Sequence, residues 1–156
     1  MTTTLSSSSA DETRRLGEAL GRLLEVGDTV LLSGQLGAGK TVFVQGMASG
    51  LGYEGTVSSK SFVLLGQYEG RIMLYHADLY RLDQPEQVED LALDELILDG
   101  AVAVEWPERA EELVPEDHLL IEFAIESAES RTLSLSAVGE RAQGLLGKLA
   151  ATARTV

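Results

Sequence analysis

Apolar residues along the chain follow two patterns, helical spacing and short continuous runs, and the two patterns alternate. Ser9 and Glu12 fit a capping box that opens a helix, and its apolar face comprises Leu16, Ala19, Leu20, Leu23 and Leu24. Residues 29–32 form a short, continuous apolar run, and residues 101–105 form a second buried-looking strand, apolar up to residue 104.

The rest of the pattern predicts further strands and helices. The predicted strands are residues 61–68, 71–78, 118–126 and 131–138, and the predicted helices are residues 40–49, 85–96, 107–113 and 139–152. Because strands and helices interleave, we expect an α/β fold with a mixed β-sheet flanked by helices in three layers. We expect residues 9–156 to form a single domain and the Ser/Thr-rich residues 1–8 to be disordered.

Composition narrows the class of function. The chain has 156 residues, of which 44% are hydrophobic, so it is long enough to bury a substantial core. Its net charge is -13, and no basic cluster is longer than the pair Arg14 and Arg15. Nucleic-acid binding depends largely on basic residues that neutralise phosphates. Direct, autonomous binding to DNA or RNA is therefore not expected.

The chain shows no sign of export. It contains no cysteine, so neither disulfides nor thiolate metal sites are expected. The stretch MTTTLSSSSADE lacks the basic and apolar segments of a signal peptide, and no run is long enough to span a membrane. We expect a soluble, cytoplasmic protein with no membrane partner.

The stretch GQLGAGKT matches the phosphate-loop pattern GxxxxGK[ST] through Gly34, Gly39, Lys40 and Thr41. Glycines allow successive backbone N–H groups to face one anion, and the N-terminus of the following helix favours negative charge there. The alternative is a glycine-rich turn with an incidental lysine. An apolar strand before the motif and a helix after it favour a P-loop NTPase-like fold.

Nucleotide hydrolysis also requires a carboxylate at the end of a neighbouring strand. Glu105 follows the apolar run 101–104, and Asp78 ends the strand predicted over residues 71–78. Each could instead be an ordinary polar residue that follows a buried strand. The residues alone leave open which carboxylate acts.

The absence of two guanine-nucleotide motifs favours ATP. The chain contains no asparagine and therefore no Asn-Lys-x-Asp motif, and no aspartate is followed by glycine three residues later. A small-molecule kinase is the weaker enzyme hypothesis, because the nine arginines are scattered and no lid-like insertion is present.

The segments GQLGAGKT, SSKSF, YHADLYRL and VEWPERAEELVP, in this order, resemble the TsaE (YjeE) family over residues 9–140. The resemblance implies a Mg²⁺-dependent ATPase that assists threonylcarbamoyl modification of adenosine 37 in tRNA. It implies the TsaD and TsaB proteins as partners, with tRNA contacted only through their complex. The alternative is an interaction module in which ATP is a structural ligand.

The resemblance also assigns roles to individual residues. Lys40, Asp78 and Glu105 are the catalytic residues that it implies, and Thr41 and Glu105 are the magnesium ligands. Trp106 is expected near the nucleotide, although a lone tryptophan could equally be a core anchor. The residues expected to contact the nucleotide are Gly34, Gly37, Ala38, Gly39, Lys40, Thr41, Val42 and Trp106. His76 could belong to the site, but a structural histidine is more common.

One segment departs from the family pattern. Ser59, Lys60, Ser61 and Phe62 stand where the family usually has Ser-Pro-Thr followed by Phe or Tyr. That segment behaves as a switch near the γ-phosphate in the family. Because proline restricts the chain, Lys60 should leave the segment freer and adds a positive charge.

Overall fold

Strands and helices alternate in the computed structural model, which describes residues 2–55, 57, 65–80, 89 and 91–153. The strands are β1 Thr2–Ser7, β2 Thr29–Gly34, β3 Leu65–Glu69, β4 Met73–Asp78, β5 Gly100–Glu105, β6 His118–Ile125 and β7 Arg131–Val138. The helices are α1 Ala10–Leu23, α2 Lys40–Gly50, α3 Leu93–Leu96 and α4 Glu140–Ala153. Two 3-10 turns, Pro107–Arg109 and Glu111–Leu113, follow β5.

The described strands form one mixed sheet in the order β1-β7-β6-β2-β5-β4-β3. β2 is parallel to both β5 and β6, and β4 is parallel to β5. The pairs β1–β7, β6–β7 and β3–β4 are antiparallel. Parallel pairing brings the carboxyl ends of β2, β4 and β5 to one edge of the sheet, and Asp78 lies in register with Glu105. The expected mixed α/β sheet is confirmed.

Alternating side chains divide the core between the two faces of the sheet. Val30 and Leu32 of β2 pack with α1, α2 and α4 on one face. Leu31 packs on the other face, which α3 and the 3-10 turns cover. Three layers result, and the three longer helices all lie on the first face.

The α1–α2 contact is made through glycines. A Cβ added at Gly17 would lie 2.2 Å from the carbonyl oxygen of Phe43, and one at Gly46 would lie 2.0 Å from that of Arg14. The predicted apolar face of α1 is present, since Leu20 and Leu24 are fully buried. The close approach of the two helix backbones was not predicted. It places α2 against α1 along residues 43–50.

Ser9 is the N-cap of α1 as predicted, but the Glu12 side chain bonds the residue before the cap rather than the cap itself. Ser9 Oγ accepts a hydrogen bond from the N–H of Glu12 at 3.1 Å. Glu12 Oε2 in turn accepts from the N–H of Ser8 at 2.7 Å. Backbone N–H groups before and after the N-cap residue are therefore both hydrogen-bonded.

The N-terminal segment corrects the expectation of disorder over residues 1–8. Residues 2–7 form β1, which pairs with β7 along its whole length. Leu5 packs against the core, and the buried Ser7 hydroxyl lies 2.7 Å from that of Thr13. These contacts offset the entropy cost of ordering a polar segment.

Other element boundaries also differ from the prediction. Residues 107–113 form two 3-10 turns rather than one helix. Of the predicted helix 85–96, residues 85–88 and 90 lie outside the described residues. The helix described in this range is α3, Leu93–Leu96. The predicted strand 61–68 is described only from Leu65. In the described part of the chain, no helix has the length and apolarity needed to cross a membrane.

Candidate nucleotide site

The GQLGAGKT segment forms a loop between the end of β2 and the start of α2. Gly37 and Gly39 adopt φ angles of 80° and 104°, a left-handed conformation that favours glycine. The N–H of Ala38 donates to the carbonyl of Gln35 at 3.0 Å, which closes a tight turn. The helix that starts at Lys40 points its N-terminus into this loop, as an anion site requires.

Lys40 is buried at the centre of the site, with only 4% of its surface exposed. Its Nζ donates to the carbonyl of Gly34 and lies 3.5 Å from the centre of the Trp106 ring. Burial lowers the pKa of Lys40, and the carboxylates of Glu105, Glu108 and Asp78 oppose that effect. An ammonium buried in this way is held by a cation–π contact and by nearby negative charge.

The Thr41 hydroxyl faces the Glu105 carboxylate. Thr41 Oγ1 lies 3.5 Å from Oε1 and 3.4 Å from Oε2 of Glu105. These long distances make a weak hydrogen bond, and both groups are oxygen ligands of the kind that hard cations prefer. Magnesium in phosphate sites is usually held by one or two protein oxygens together with phosphate and water, so the donor set fits it. The described residues contain no cluster of three or more His, Cys, Asp or Glu side chains that could hold a metal ion.

The His76 ring is hydrogen-bonded to the Glu105 carboxylate and so orients it. It is fully buried, and its Nε2 lies 2.6 Å from Oε2 of Glu105. A carboxylate only accepts, so Nε2–H donates, and Nδ1 on the other side of the ring is hydrogen-bonded to the Tyr68 hydroxyl at 3.2 Å. Burial raises the pKa of Tyr68 to about 12, so that hydroxyl stays protonated. The structure thus places His76 within the site's hydrogen-bond network.

Asp78 lies beside Glu105 on the neighbouring strand. Their register in the parallel pair β4–β5 turns both side chains to the α2 face of the sheet. Asp78 Oδ1 accepts from the N–H of Tyr80 at 3.1 Å, and the residue is 7% exposed. Burial raises the pKa of Asp78, and the charge of Glu105 raises it further. The structure therefore brings the two candidate carboxylates together at the end of the sheet.

Trp106 forms a wall of the site through an unusual backbone conformation. Its φ is 60°, which is rare for a bulky residue, and its N–H donates to the carbonyl of Leu32 at 3.1 Å. The ring contacts that of Tyr80 at 4.9 Å and also packs against the second core cluster. The ring therefore both packs against the core and contacts Lys40 beside the phosphate loop.

The other predicted contact residues lie around the same loop. Gly34 accepts from Lys40, and Gly37, Gly39 and Val42 line a cavity of about 310 Å³ beside the loop. Ala38 is buried under the loop, where its carbonyl accepts from Arg131. Ser59, Lys60, Ser61 and Phe62 lie outside the described residues.

From the sequence, His76 was given too little weight and Arg131 was not identified. His76 alternates with Leu74 and Asp78 in β4, a signal that it shares their face of the sheet. No local signal marks Arg131, because its contacts with the phosphate loop depend on the pairing of β6 and β7.

Comparison with known proteins gives a consistent result. Residues 7–133 match the model of the family described as "Threonylcarbamoyl adenosine biosynthesis protein TsaE". The chain is 40% identical to the "tRNA threonylcarbamoyladenosine biosynthesis protein TsaE" of Treponema pallidum over 131 residues, 83% of this chain and 97% of the relative. It is 36% identical to the protein of that name in Bacillus subtilis, over 89% of this chain and 88% of the relative.

A solved structure has the same fold. The crystal structure of YdiB from Bacillus subtilis superposes with a TM-score of 0.85 and 31% sequence identity. The match covers 97% of this chain and 96% of the other.

Proposed function

The chain belongs to the TsaE family of threonylcarbamoyl adenosine biosynthesis proteins, and on that premise we propose that it is a magnesium-dependent ATPase. It acts on the TsaD–TsaB complex and so supports threonylcarbamoyl modification of adenosine 37 in tRNA. The observation that supports the ATPase assignment best is the juxtaposition of Thr41 with Glu105 at the end of a phosphate loop.

The roles of the residues follow from their positions. The backbone N–H groups of the loop and the ammonium of Lys40 bind the phosphates. Thr41 and Glu105 hold the magnesium ion, which neutralises phosphate charge, and His76 keeps the Glu105 carboxylate turned towards it. Asp78, one strand away, orients the attacking water.

The charge of the chain supports an indirect role in tRNA modification. A net charge of -13 opposes binding to an RNA backbone, and the basic residues form no cluster in the sequence. Hydrolysis would therefore act on a protein partner in the cytoplasm rather than on tRNA itself. ATP is preferred over GTP because no guanine-reading motif is present.

The decisive experiment measures ATP hydrolysis by this protein with and without TsaD and TsaB. We expect slow turnover alone, faster turnover with the complex, and loss of tRNA modification when hydrolysis is blocked. Modification that continues at the full rate with a non-hydrolysable ATP analogue would instead favour ATP as a structural ligand.

Glu105→Gln tests the metal site separately. The amide removes one negative charge and weakens a magnesium ligand. ATP affinity should therefore fall in the presence of magnesium but rise, or stay unchanged, in EDTA. Equal losses under both conditions would mean that Glu105 does not act through the metal.

A further inference from the structure

Arg131 lies at the start of β7, and its guanidinium contacts backbone carbonyls of the phosphate loop. Its Nε donates to the carbonyl of Ala38 at 3.1 Å, and one terminal nitrogen donates to that of Gly37 at 3.3 Å. The other terminal nitrogen donates to the carbonyls of Ser127 and Ser130, both at 2.9 Å. A single guanidinium therefore ties the middle of the phosphate loop to the β6–β7 turn.

These bonds are unusual for an arginine near the surface. Within the described residues, Arg131 forms no salt bridge, and its hydrogen bonds all go to backbone carbonyls. The planar fork of arginine can bond two adjacent carbonyls at once, whereas lysine presents a single ammonium. The geometry thus uses a property that is specific to arginine.

The loop needs such a support in its middle. β2 holds its first residue and α2 holds its last two, but Gly37 and Gly39 between them have left-handed φ angles and little intrinsic preference for one conformation. Across a planar trans peptide, a carbonyl and the next N–H point in opposite directions. When Arg131 holds the Ala38 carbonyl, the N–H of Gly39 faces the opposite side of the loop.

We propose that Arg131 is a positioning residue that holds the phosphate loop in its anion-binding conformation before the nucleotide arrives. The inference rests on the proposed function of this loop as the ATP phosphate site. Pre-organisation of this kind raises affinity by reducing the entropy lost on binding. Because Arg131 acts on the loop backbone, its effect should depend on the phosphates and not on the base.

A direct contact with the ligand is the competing role. Arg131 also borders the cavity of about 310 Å³ that Gly37, Gly39 and Val42 line. An arginine in that position could touch the base or the sugar instead of shaping the loop. Loss of a direct contact with the base would not weaken a ligand that has no base, and it would leave the loop of the ligand-free protein unchanged. Loss of loop positioning would affect both.

The test compares Arg131→Ala and Arg131→Lys with Arg22→Ala, which removes an exposed arginine of α1 and so matches the change in charge. Calorimetry with magnesium gives the affinities for ATP and for inorganic tripolyphosphate. Hydrogen exchange of residues 35–39 in the ligand-free proteins reports the order of the loop.

We expect Arg131→Ala to weaken ATP and tripolyphosphate equally, by about ten-fold, which corresponds to about 1.4 kcal/mol. Exchange in the loop should become faster, Arg131→Lys should recover only part of both effects, and Arg22→Ala should match the wild type. A loss confined to ATP, unchanged exchange, or full recovery in Arg131→Lys would overturn the proposal.

Failure of the proposed function can be told apart from failure of this inference. If the wild-type protein binds neither ligand, the assignment as an ATPase is wrong. The exchange of residues 35–39 in the ligand-free variants still decides whether Arg131 orders the loop. If Arg131→Ala does not fold, Arg131→Lys provides the same comparison with a milder change.

Discussion

Gly46→Ala in the α1–α2 contact should destabilise the protein despite replacing a poor helix former with the best one. The added Cβ would lie 2.0 Å from the carbonyl oxygen of Arg14 and 2.9 Å from the backbone nitrogen of Glu18. Both obstacles are backbone atoms, which cannot rotate away as a side chain could. The two helices must therefore separate until the contact reaches an ordinary distance of 3.4 Å or more.

The expected magnitude combines two opposing effects. Alanine favours a helix over glycine by about 1 kcal/mol, whereas overpacking a tight contact costs about 1–3 kcal/mol. Gly17, Gly21 and Gly50 make similar approaches in the same interface, so separation would disturb them too. We place the steric cost at the upper end, which leaves a net loss of about 2 kcal/mol. In a chain of this size, that loss lowers the melting temperature by about 4–8 °C.

Gly144→Ala in α4 is the matched control. A Cβ there meets no atom within 4 Å, so only the helix-propensity effect remains and stability should rise by up to about 1 kcal/mol. Urea denaturation followed by circular dichroism measures both variants. The difference between them gives the steric cost at the α1–α2 contact. Equal stabilisation of the two variants would refute the close approach of these helices.

Three further predictions concern the site. Lys40→Ala should abolish most of the stabilisation of the melting temperature by Mg-ATP, because the phosphates lose their buried cation; retained protection would place the nucleotide elsewhere. Asp78→Asn should reduce ATP hydrolysis at least ten-fold with little change in ATP affinity or in the circular dichroism spectrum, and normal turnover would exclude a role with the attacking water. Lys60→Pro should tighten ATP binding a few-fold and leave ADP binding unchanged, since about 0.4–1 kcal/mol of chain entropy is at stake. Identical hydrogen exchange of residues 56–64 with ATP and with ADP would refute a switch in that segment.

The strands that carry the site were predictable because their signal is local. The runs that end at Asp78 and Glu105 are apolar, and parallel strands in an α/β sheet end at a common edge. The phosphate-loop motif was equally clear, since each of its residue types answers a requirement of the phosphates. What the residues alone left open was the choice between two carboxylates. The register of β4 with β5 places the two carboxylates side by side, and the Asp78 and Glu105 variants test the role of each.

The features that were missed depend on contacts between distant segments. β1 carries one large apolar residue, Leu5, so its pattern is weak, and it is ordered by pairing with β7 at the other end of the chain. The contact between the His76 ring and Glu105 likewise depends on the register of β4 with β5. Gly17 and Gly21, one helical turn apart, were a usable signal of close helix packing.

If the chain binds ATP as proposed, the electrostatics of the site should make that binding depend on a divalent cation. The carboxylates of Asp78, Glu105 and Glu108 lie near the ammonium of Lys40, and His76 is a second basic side chain near Asp78. The local charge is therefore negative before any phosphate enters, and the charge of the whole chain adds to it. Like charges at contact distance cost several kcal/mol in a partly buried site, so a triphosphate alone meets net repulsion. A cation held between Thr41 and Glu105 would reverse that balance, because it would cancel carboxylate charge and phosphate charge together. We therefore expect the site to bind the metal–nucleotide complex more tightly than the free nucleotide, and calorimetry with ATP in magnesium and in EDTA measures the difference.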